Sequence, residues 1–382
     1  MSTLKVDSIE SRTSGARVTL PDLNFLPPYR NIIINGDMSI AQRGTTATGL
    51  GNGDGGYHTI DRFNLGITDT PTYEFTMSQD ADVPTGQGFT KSLKLSCTTA
   101  QASLGTGNAL RILTGFEGQN LQYLKYGTAN AESLTASFWI KSNKTGDYCV
   151  ALYNSDTIDI TTKTITINSA DTWEKKTLTF SGDTSNAFNN DNGASLFLWI
   201  CFLAGTNYNT SSAVNWTSYS AGRLAYGQTV NLADSTSNYI NITGVQLEAG
   251  DSATPFEHLP YDVNLGRCQR YFEKSYNYET AIGTATFQGC VYGSGSYSAT
   301  TTSYLNASTV YSVEKRATPT LTIYDAAGNS AKCTREHFGV GSSHNSSIII
   351  TSDANAKRFG VTSNTGDNRT HIAYQFTANA EI

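Results

Sequence analysis

The side chains that could carry out acid–base or nucleophilic chemistry are scattered along this 382-residue sequence rather than grouped. None of its five histidines lies in a His-Glu-x-x-His motif or beside a Gly-x-Ser-x-Gly turn, the patterns typical of zinc proteases and serine hydrolases. Glu74, Asp80 and Asp82 could supply the carboxylate pair of a glycosidase, but nothing in their spacing singles them out. We therefore expect a protein that is not an enzyme and that uses no cofactor.

Aromatic side chains on polar strands offer a different chemistry, the stacking of a flat ring under a sugar. Over residues 135–141, alternation places Ala, Phe and Ile on one strand face and Trp139 on the other, among Thr, Ser and Lys. A sugar-binding sheet presents such a Trp, although a loop or a neighbouring subunit could cover it instead. Trp199 lies in a strand that is apolar on both faces, which favours a core position. The further candidates for glycan contact are Tyr153, Tyr208, Trp216 and Tyr219.

The elements that must position these side chains are mostly strands. Ten segments with strand-like composition are separated by turn residues and have no helices between them, which predicts an all-β sandwich. They are residues 57–67, 72–78, 91–97, 108–114, 133–142, 147–154, 163–167, 173–181, 195–204 and 239–247. Within residues 117–126, Leu recurs at helical spacing and predicts one short helix. The loop 205–238 is long enough to be functional or to form an interface.

The sandwich is expected to open and close on two strands that pair with each other. The β-branched run 31–34 leads into the turn-forming Asn-Gly-Asp of residues 35–37, and its expected partner is the alternating segment 239–250. Helical spacing follows, and strand patterns then recur to the end, with few apolar positions for a separate core. The predicted parts are an N-terminal segment 1–28, a sandwich domain 29–257, a helical linker 258–275 and a C-terminal β-domain 276–382. The clearest C-terminal strand patterns are at 320–324, 347–351 and 372–382.

Charge and composition exclude several classes of partner. The net charge is −6 and Lys and Arg do not cluster, so we expect no nucleic-acid binding. No apolar run is long enough for a membrane span, and the N-terminus has no apolar signal-peptide core, so we expect no membrane insertion and synthesis in a reducing cytoplasm. The six cysteines contain no Cys-x-x-Cys pair, which argues against zinc, and disulfides are not expected.

Four motifs in fixed order resemble those of a family of bacteriophage tail-fibre and virion appendage proteins. In chain order they are Asn31-Ile-Ile-Ile-Asn-Gly-Asp-Met with Ile40-Ala-Gln-Arg-Gly, then Asp61-Arg-Phe, then Ser137-Phe-Trp-Ile-Lys, then Gly244-Val-Gln-Leu-Glu-Ala-Gly with Thr254-Pro-Phe-Glu. The resemblance covers about residues 29 to 273. That family carries a domain similar to jelly-roll carbohydrate-binding modules, so the resemblance implies a jelly-roll β-sandwich. The run 315–329 and the Ala-Asn-Ala-Glu-Ile ending resemble the C-terminal domain that follows it there.

The resemblance also implies a role and a set of partners. The chain would be a virion protein of the phage tail, joined to other tail or fibre proteins through residues 1–28, binding a host-surface glycan with its β-domains, and assembled as a homotrimer. Two alternatives remain open: a capsid or tail decoration protein without a receptor role, and a polysaccharide-degrading enzyme or its accessory module. Asp37 matches an acidic position in the family's opening motif, but Thr243 and Gly244 stand where carboxylates are expected, so a structural calcium ion is left undecided.

Overall fold

The computed structural model describes most of the chain. The described residues are 29–294, 303–336, 343–347, 349–350, 354–365 and 371–382. The predicted attachment segment 1–28 lies outside them. Within the described part, no helix is long and apolar enough to cross a membrane.

Twelve antiparallel strands form a two-layered jelly-roll sandwich. They are β1 Thr46–Leu50, β2 Asn64–Thr68, β3 Glu74–Asp80, β4 Ser92–Thr99, β5 Ala109–Glu117, β6 Leu134–Ser142, β7 Gly146–Asn154, β8 Asp159–Ile167, β9 Glu174–Phe180, β10 Ala194–Ala204, β11 Thr217–Ser218 and β12 Tyr239–Ala249. The first sheet has the order β1-β3-β4-β12-β6-β9, and the second has the order β11-β8-β7-β10-β5-β2. Alternate apolar side chains of both sheets fill one continuous core between them.

All ten predicted strand segments contain a strand, because alternation with turn residues at the ends is a strong local signal. The predicted helix at 117–126 is wrong: this segment forms two single 3₁₀ turns, Gly118–Asn120 and Gln122–Leu124. Leu121 and Leu124 are fully buried three residues apart, a spacing that a 3₁₀ turn satisfies as well as an α-helix does. Lys125 then takes a left-handed conformation with φ of 55°, which ends the segment.

The opening stretch 31–34 is not a strand, which corrects a second prediction. Strand β12 does follow the predicted course, but β4 pairs with only its first four residues, and the opening stretch runs alongside the rest. Two backbone hydrogen bonds join them, from Ile32 N to the Leu247 carbonyl and from Val245 N to the Gly36 carbonyl, both 2.9 Å. The Asn31 side chain replaces further ladder bonds, since it accepts from Leu247 N at 3.0 Å.

One helix, α1 Tyr261–Gln269, lies in the predicted linker 258–275. It is shorter than the helical pattern suggested, because residues 272–274 form a strand instead. That strand pairs with the last strand of the chain. Next to it, the guanidinium of Arg62 lies over the Tyr271 ring at 3.5 Å from its centroid, and that of Arg43 lies over the Phe272 ring at 3.7 Å.

The C-terminal part forms a third antiparallel sheet. Its strands are β13 Phe272–Lys274, β14 Val291–Ser294, β15 Ser303–Val310, β16 Thr320–Tyr324, β17 Lys332–Glu336, β18 Ser343–Ser347, β19 Ile349–Ile350, β20 Arg358–Thr365 and β21 His371–Asn379. Strand β21 pairs with β13, β14, β16 and β17, so the last strand organises the sheet. Contrary to the expectation of few core positions, this part has an apolar cluster of its own around Phe359, Tyr374 and Phe376.

Candidate binding groove

Trp139 lies on the outer face of the first sheet. Its neighbours in β6, Phe138 and Ile140, are fully buried in the core, whereas Trp139 is half-buried. This confirms the alternation that the sequence predicted. Across the sheet Trp139 is directly opposite Thr243 of β12 and Lys175 of β9, both polar. An indole on an otherwise polar face is therefore carried by β6, an interior strand that pairs with β12 on one side and with the edge strand β9 on the other.

The outer face at Trp139 is a groove because two loops rise beside the strand. The cavity is about 490 Å³ in volume. One wall comes from the loop between β3 and β4, and the other from the segment after β12. The lining residues are Gln87, Phe89, Ser137, Trp139, Lys175, Gly244, Ala253, Thr254, Pro255, Phe256 and His258. Such a volume lies within the range of small-ligand sites, roughly 300–1,000 Å³.

The two loops meet through aromatic contacts that fix the width of the groove. The rings of Phe89 and Phe256 make an edge-to-face contact with centroids 5.0 Å apart, and His258 lies 5.2 and 4.9 Å from them. Phe89 is buried and packs over Gly244, where a Cβ would approach its ring to 2.5 Å. Gly244 has φ of 63° and lies at the point where β12 shifts register against β6. The bulge therefore makes room for the wall of the groove.

The polar side chains of the groove are one ammonium and several groups that can both donate and accept hydrogen bonds. Lys175 is exposed, and among the described residues no carboxylate pairs with it. Gln87 and His258 are exposed on the two rims, and Ser137 is buried in the floor. Hydroxyls, amides and one free ammonium around an aromatic plane can read the hydroxyls of a sugar ring that stacks on it.

A second tryptophan extends the same face beyond the groove. Trp173, which the sequence patterns did not single out, precedes β9 and donates its indole N–H to Asp82 at 3.0 Å. Lys141 donates to the other oxygen of Asp82 at 2.7 Å. Burial alone would raise the pKa of Asp82, but these two hydrogen bonds together lower it. Asp82 therefore stays ionised and orients two residues of this face.

The carboxylates considered for glycoside cleavage do not have the properties of a catalytic pair. A general acid needs a raised pKa. The pKa of Asp80 is lowered, like that of Asp82. Burial alone would raise the Asp80 pKa, but hydrogen bonds from the Asp82 backbone and from Lys94 outweigh burial. Glu74 is exposed and accepts from the Thr99 hydroxyl at 3.0 Å.

Among the described residues, Asp61 is the carboxylic acid whose pKa is raised, to about 6, because burial outweighs the effects of Arg43 and Gln42. It lies beneath the C-terminal sheet, where Gln42 donates to it and to the Phe272 carbonyl. It is fully buried and does not line the groove.

The other four candidates lie elsewhere. Tyr153 and Tyr219 lie on the outer face of the second sheet, where Tyr153 stacks on Trp199 at 4.7 Å and Tyr219 meets both rings edge-on. Tyr208 packs in the same cluster, which the loop 205–238 covers. Trp199 is buried there, rather than in the main core. Trp216 lies apart from both the groove and this cluster, and its indole N–H donates to the Ser181 carbonyl at 2.8 Å.

The groove was thus predicted in part. Trp139 was found by alternation, and Pro255 and Phe256 belong to a motif that contributed only to the family resemblance. Phe89 and Lys175 were missed, because no local pattern links a loop residue or a residue of another strand to Trp139.

The structure gives Asp37 a role without an ion. Asp37 Oδ1 accepts from the Ser39 hydroxyl at 3.0 Å and from the Asn264 amide at 3.1 Å. Asn264 belongs to α1, so Asp37 ties the opening turn to the helix. Over the described ranges, no group of three or more His, Cys, Asp or Glu side chains is placed to hold a metal.

No known protein-family profile matches this chain, and no curated protein is significantly similar to it in sequence. Solved structures do resemble it at low identity. The enzymatically active domain of tailspike protein 4 from bacteriophage CBA120 is 13% identical with a TM-score of 0.32; the match covers 58% of this chain and 22% of that one.

Two carbohydrate-binding modules are also similar. A family 11 module from a cellulosomal cellulase of Clostridium thermocellum is 9% identical with a TM-score of 0.27, covering 54% of this chain and 97% of the module. A xylan-binding domain of Paenibacillus barcinonensis is 12% identical with a TM-score of 0.23, covering 56% and 99%. The fold itself is defined by the sheets of this chain: an all-β protein with a jelly-roll sandwich, a short helix and a C-terminal β-sheet.

Proposed function

We propose that the Trp139 groove binds a glycan and that the chain is a bacteriophage tail fibre or fibre-like appendage that attaches to the host surface. The observation that carries glycan binding is the half-buried Trp139 ring in a groove of about 490 Å³ whose exposed polar groups include Gln87, Lys175 and His258. Phe89 and Phe256 hold the groove open through their mutual contact, so the site is largely pre-formed. A pre-formed site loses little entropy on binding.

The virion role is supported by the four ordered motifs and their resemblance to phage appendage proteins. In this proposal, residues 1–28 join the chain to other tail or fibre proteins, and the chain is made in the host cytoplasm and carried in the virion. A single groove with one stacked ring binds weakly. Many copies on one particle convert weak contacts into stable attachment, because each further contact becomes intramolecular.

The proposed assembly is a homotrimer. Val310 of β15 is 74% exposed and Tyr292 of β14 is 52% exposed, so apolar surface on the C-terminal sheet is available for a neighbouring copy. Light scattering of the full chain at micromolar concentration should give three times the mass of one chain. A monomeric mass would contradict the trimer and would leave the glycan proposal to its own test.

The proposal also holds that this chain is not an enzyme. The pKa values of Asp80 and Asp82 are lowered, which does not suit the general acid of a glycosidase. Incubation with host polysaccharide should yield no new reducing ends. Sustained release of oligosaccharides would instead support the alternative of a polysaccharide-degrading enzyme.

The test of glycan binding compares Trp139→Ala with Trp139→Phe and with Tyr226→Ala, a control at an exposed tyrosine outside the groove. Attachment of labelled protein to host cells or purified host polysaccharide should fall about tenfold or more for Trp139→Ala, recover partly for Trp139→Phe, and stay unchanged for Tyr226→Ala. All three should melt cooperatively, because Trp139 and Tyr226 lie outside the core clusters. Wild-type protein that is found on the particle but binds no host glycan would favour the alternative of a decoration protein.

A further inference from the structure

A second cavity lies on the other side of the opening stretch. It is about 350 Å³ in volume and lies between residues 29–34, the end of β5 and helix α1. It shares no lining residue with the Trp139 groove. The lining residues are Tyr29, Asn31, Ile32, Ile34, Gly115, Phe116, Glu117, Asn120, Tyr123, Arg267, Arg270 and Tyr271.

The base of this cavity holds two arginines that differ in their partners. Glu117 is fully buried and is satisfied by Arg270, whose Nε and Nη2 each donate at 2.7 Å, and by the Tyr271 hydroxyl at 2.6 Å. That pair is neutral. Arg267 is different: its Nη1 is buried, and the described residues offer it neither an acceptor nor an ion pair.

Burying the Arg267 guanidinium without a hydrogen-bond acceptor is energetically unfavourable. Desolvation lowers the pKa of Arg267, and nearby Glu257 offsets this only in part. Glu257 is itself engaged, because the backbone N–H groups of Tyr29 and Asn31 donate to its two oxygens. Arg267 also lines the cavity, so an anion bound there would give its guanidinium the charged partner that the described residues do not hydrogen-bond to it.

The walls of the cavity suit a flat, partly apolar ring. Tyr29 and Tyr123 are exposed at the rim by 59% and 51%. Half-buried Ile32 and Ile34 line the interior. Exposed Asn120 has an amide that makes no hydrogen bond to the described residues, so it is available to the hydroxyls of a ligand.

We propose that this cavity binds a sugar that carries a carboxylate, such as a uronic acid. The carboxylate meets Arg267, the ring lies between Tyr29 and Tyr123, and the Asn120 amide reads hydroxyls. A sugar hydroxyl can also accept from the guanidinium but brings no counter-charge, so the cavity favours a sugar that carries a carboxylate. A neighbouring copy of the chain as occupant is an outcome that the test below detects.

The test titrates the full chain with D-glucuronate and with D-glucose, followed by NMR or calorimetry. Wild type should bind glucuronate in the millimolar range and glucose at least about tenfold more weakly. Arg267→Gln should lose that preference by weakening glucuronate alone, whereas Tyr123→Ala should weaken both sugars. Tyr226→Ala, at an exposed tyrosine that lines neither cavity, serves as the matched control and should leave glucuronate binding unchanged. Trp139→Ala tests separately whether glucuronate binds in the groove instead.

Three results would overturn the proposal: equal affinity of wild type for the two sugars, unchanged glucuronate affinity in Arg267→Gln, or loss of glucuronate binding in Trp139→Ala. If Arg267→Gln does not fold, Tyr123→Ala still tests the proposal, because Tyr123 is exposed and its replacement should not affect folding. Full glucuronate affinity in Tyr123→Ala would show that the sugar binds outside this cavity. A change of oligomeric mass in Tyr123→Ala by light scattering, without a change in affinity, would assign the cavity to a contact between copies.

Discussion

Arg62 and Glu381 are 319 residues apart in the sequence and form a buried ion pair at the junction of the sandwich and the C-terminal sheet. Arg62 is 1% exposed; it also donates to the Gly115 carbonyl at 2.6 Å and lies over the Tyr271 ring. Arg43 adds a second contact to Glu381 at 3.2 Å. The Ile-Ala-Gln-Arg-Gly, Asp-Arg-Phe and Ala-Asn-Ala-Glu-Ile motifs therefore converge on one structural junction.

Glu381→Gln should destabilise the chain by about 3 kcal/mol or more, because it leaves the buried Arg62 guanidinium without its counter-charge. Chemical denaturation of the full chain would measure this loss. Glu279→Gln is the control, since Glu279 is exposed and should change stability by less than about 0.5 kcal/mol. Equal stability of the two variants would show that the junction does not depend on the pair.

Asp61 should make the stability of the chain rise as the solution is acidified. Burial raises its folded-state pKa to about 6, above the unfolded value, so the folded state binds a proton more tightly between those two pKa values. The contribution is fully present below the unfolded pKa and is lost as pH rises through about 6.

Melting temperatures of wild type and Asp61→Asn at pH 5 and pH 7.5 measure this effect. The difference between wild type and variant should favour wild type more at pH 5 than at pH 7.5, because only wild type gains by protonation there. A difference that stays constant, or that grows with pH, contradicts an elevated pKa at Asp61.

Gly244→Ala should both destabilise the sandwich and impair the Trp139 groove. Its φ of 63° is unfavourable for alanine, and the new Cβ would press on the buried Phe89 ring. Gly86→Ala is a matched control, with φ of 76° and no atom within 4 Å of the place that the added methyl group would occupy. We expect about 1–2 kcal/mol for Gly86→Ala from the backbone alone. Denaturation should show a larger loss for Gly244→Ala, with weaker glycan attachment. Equal losses would mean that Phe89 moves aside freely.

Removing residues 1–28 should leave a folded chain that no longer joins the particle. Among the described residues the sandwich core begins at residue 33, and residue 30 is already held, because the Arg30 guanidinium donates to the Thr254 hydroxyl at 2.8 Å. The melting temperature should therefore stay within a few degrees of the full chain. Particle incorporation, measured on purified virions, should be lost. A large fall in melting temperature, or undiminished incorporation, would refute an attachment role.

Local patterns in the sequence were enough to place the strands and their faces. Alternation is a property of neighbouring residues, so it placed Phe138 in the core and Trp139 outside it without any knowledge of the fold. It failed where the local signal was shared by two structures, as in the Leu spacing of residues 117–126. It failed again at 31–34, where the availability of a partner strand decided the outcome.

Which distant residues meet was decided by the tertiary fold. Phe89 and Phe256 frame Trp139 only because two loops cross the same sheet face. Arg62 reaches Glu381 only because the last strand returns to the first domain. No pattern in the sequence encodes such contacts locally, since they depend on strand order and on where each loop is forced to pass. The buried Nη1 donor of Arg267 is a further example. The residue type is visible in the sequence, but only the fold shows that no described residue accepts from this donor.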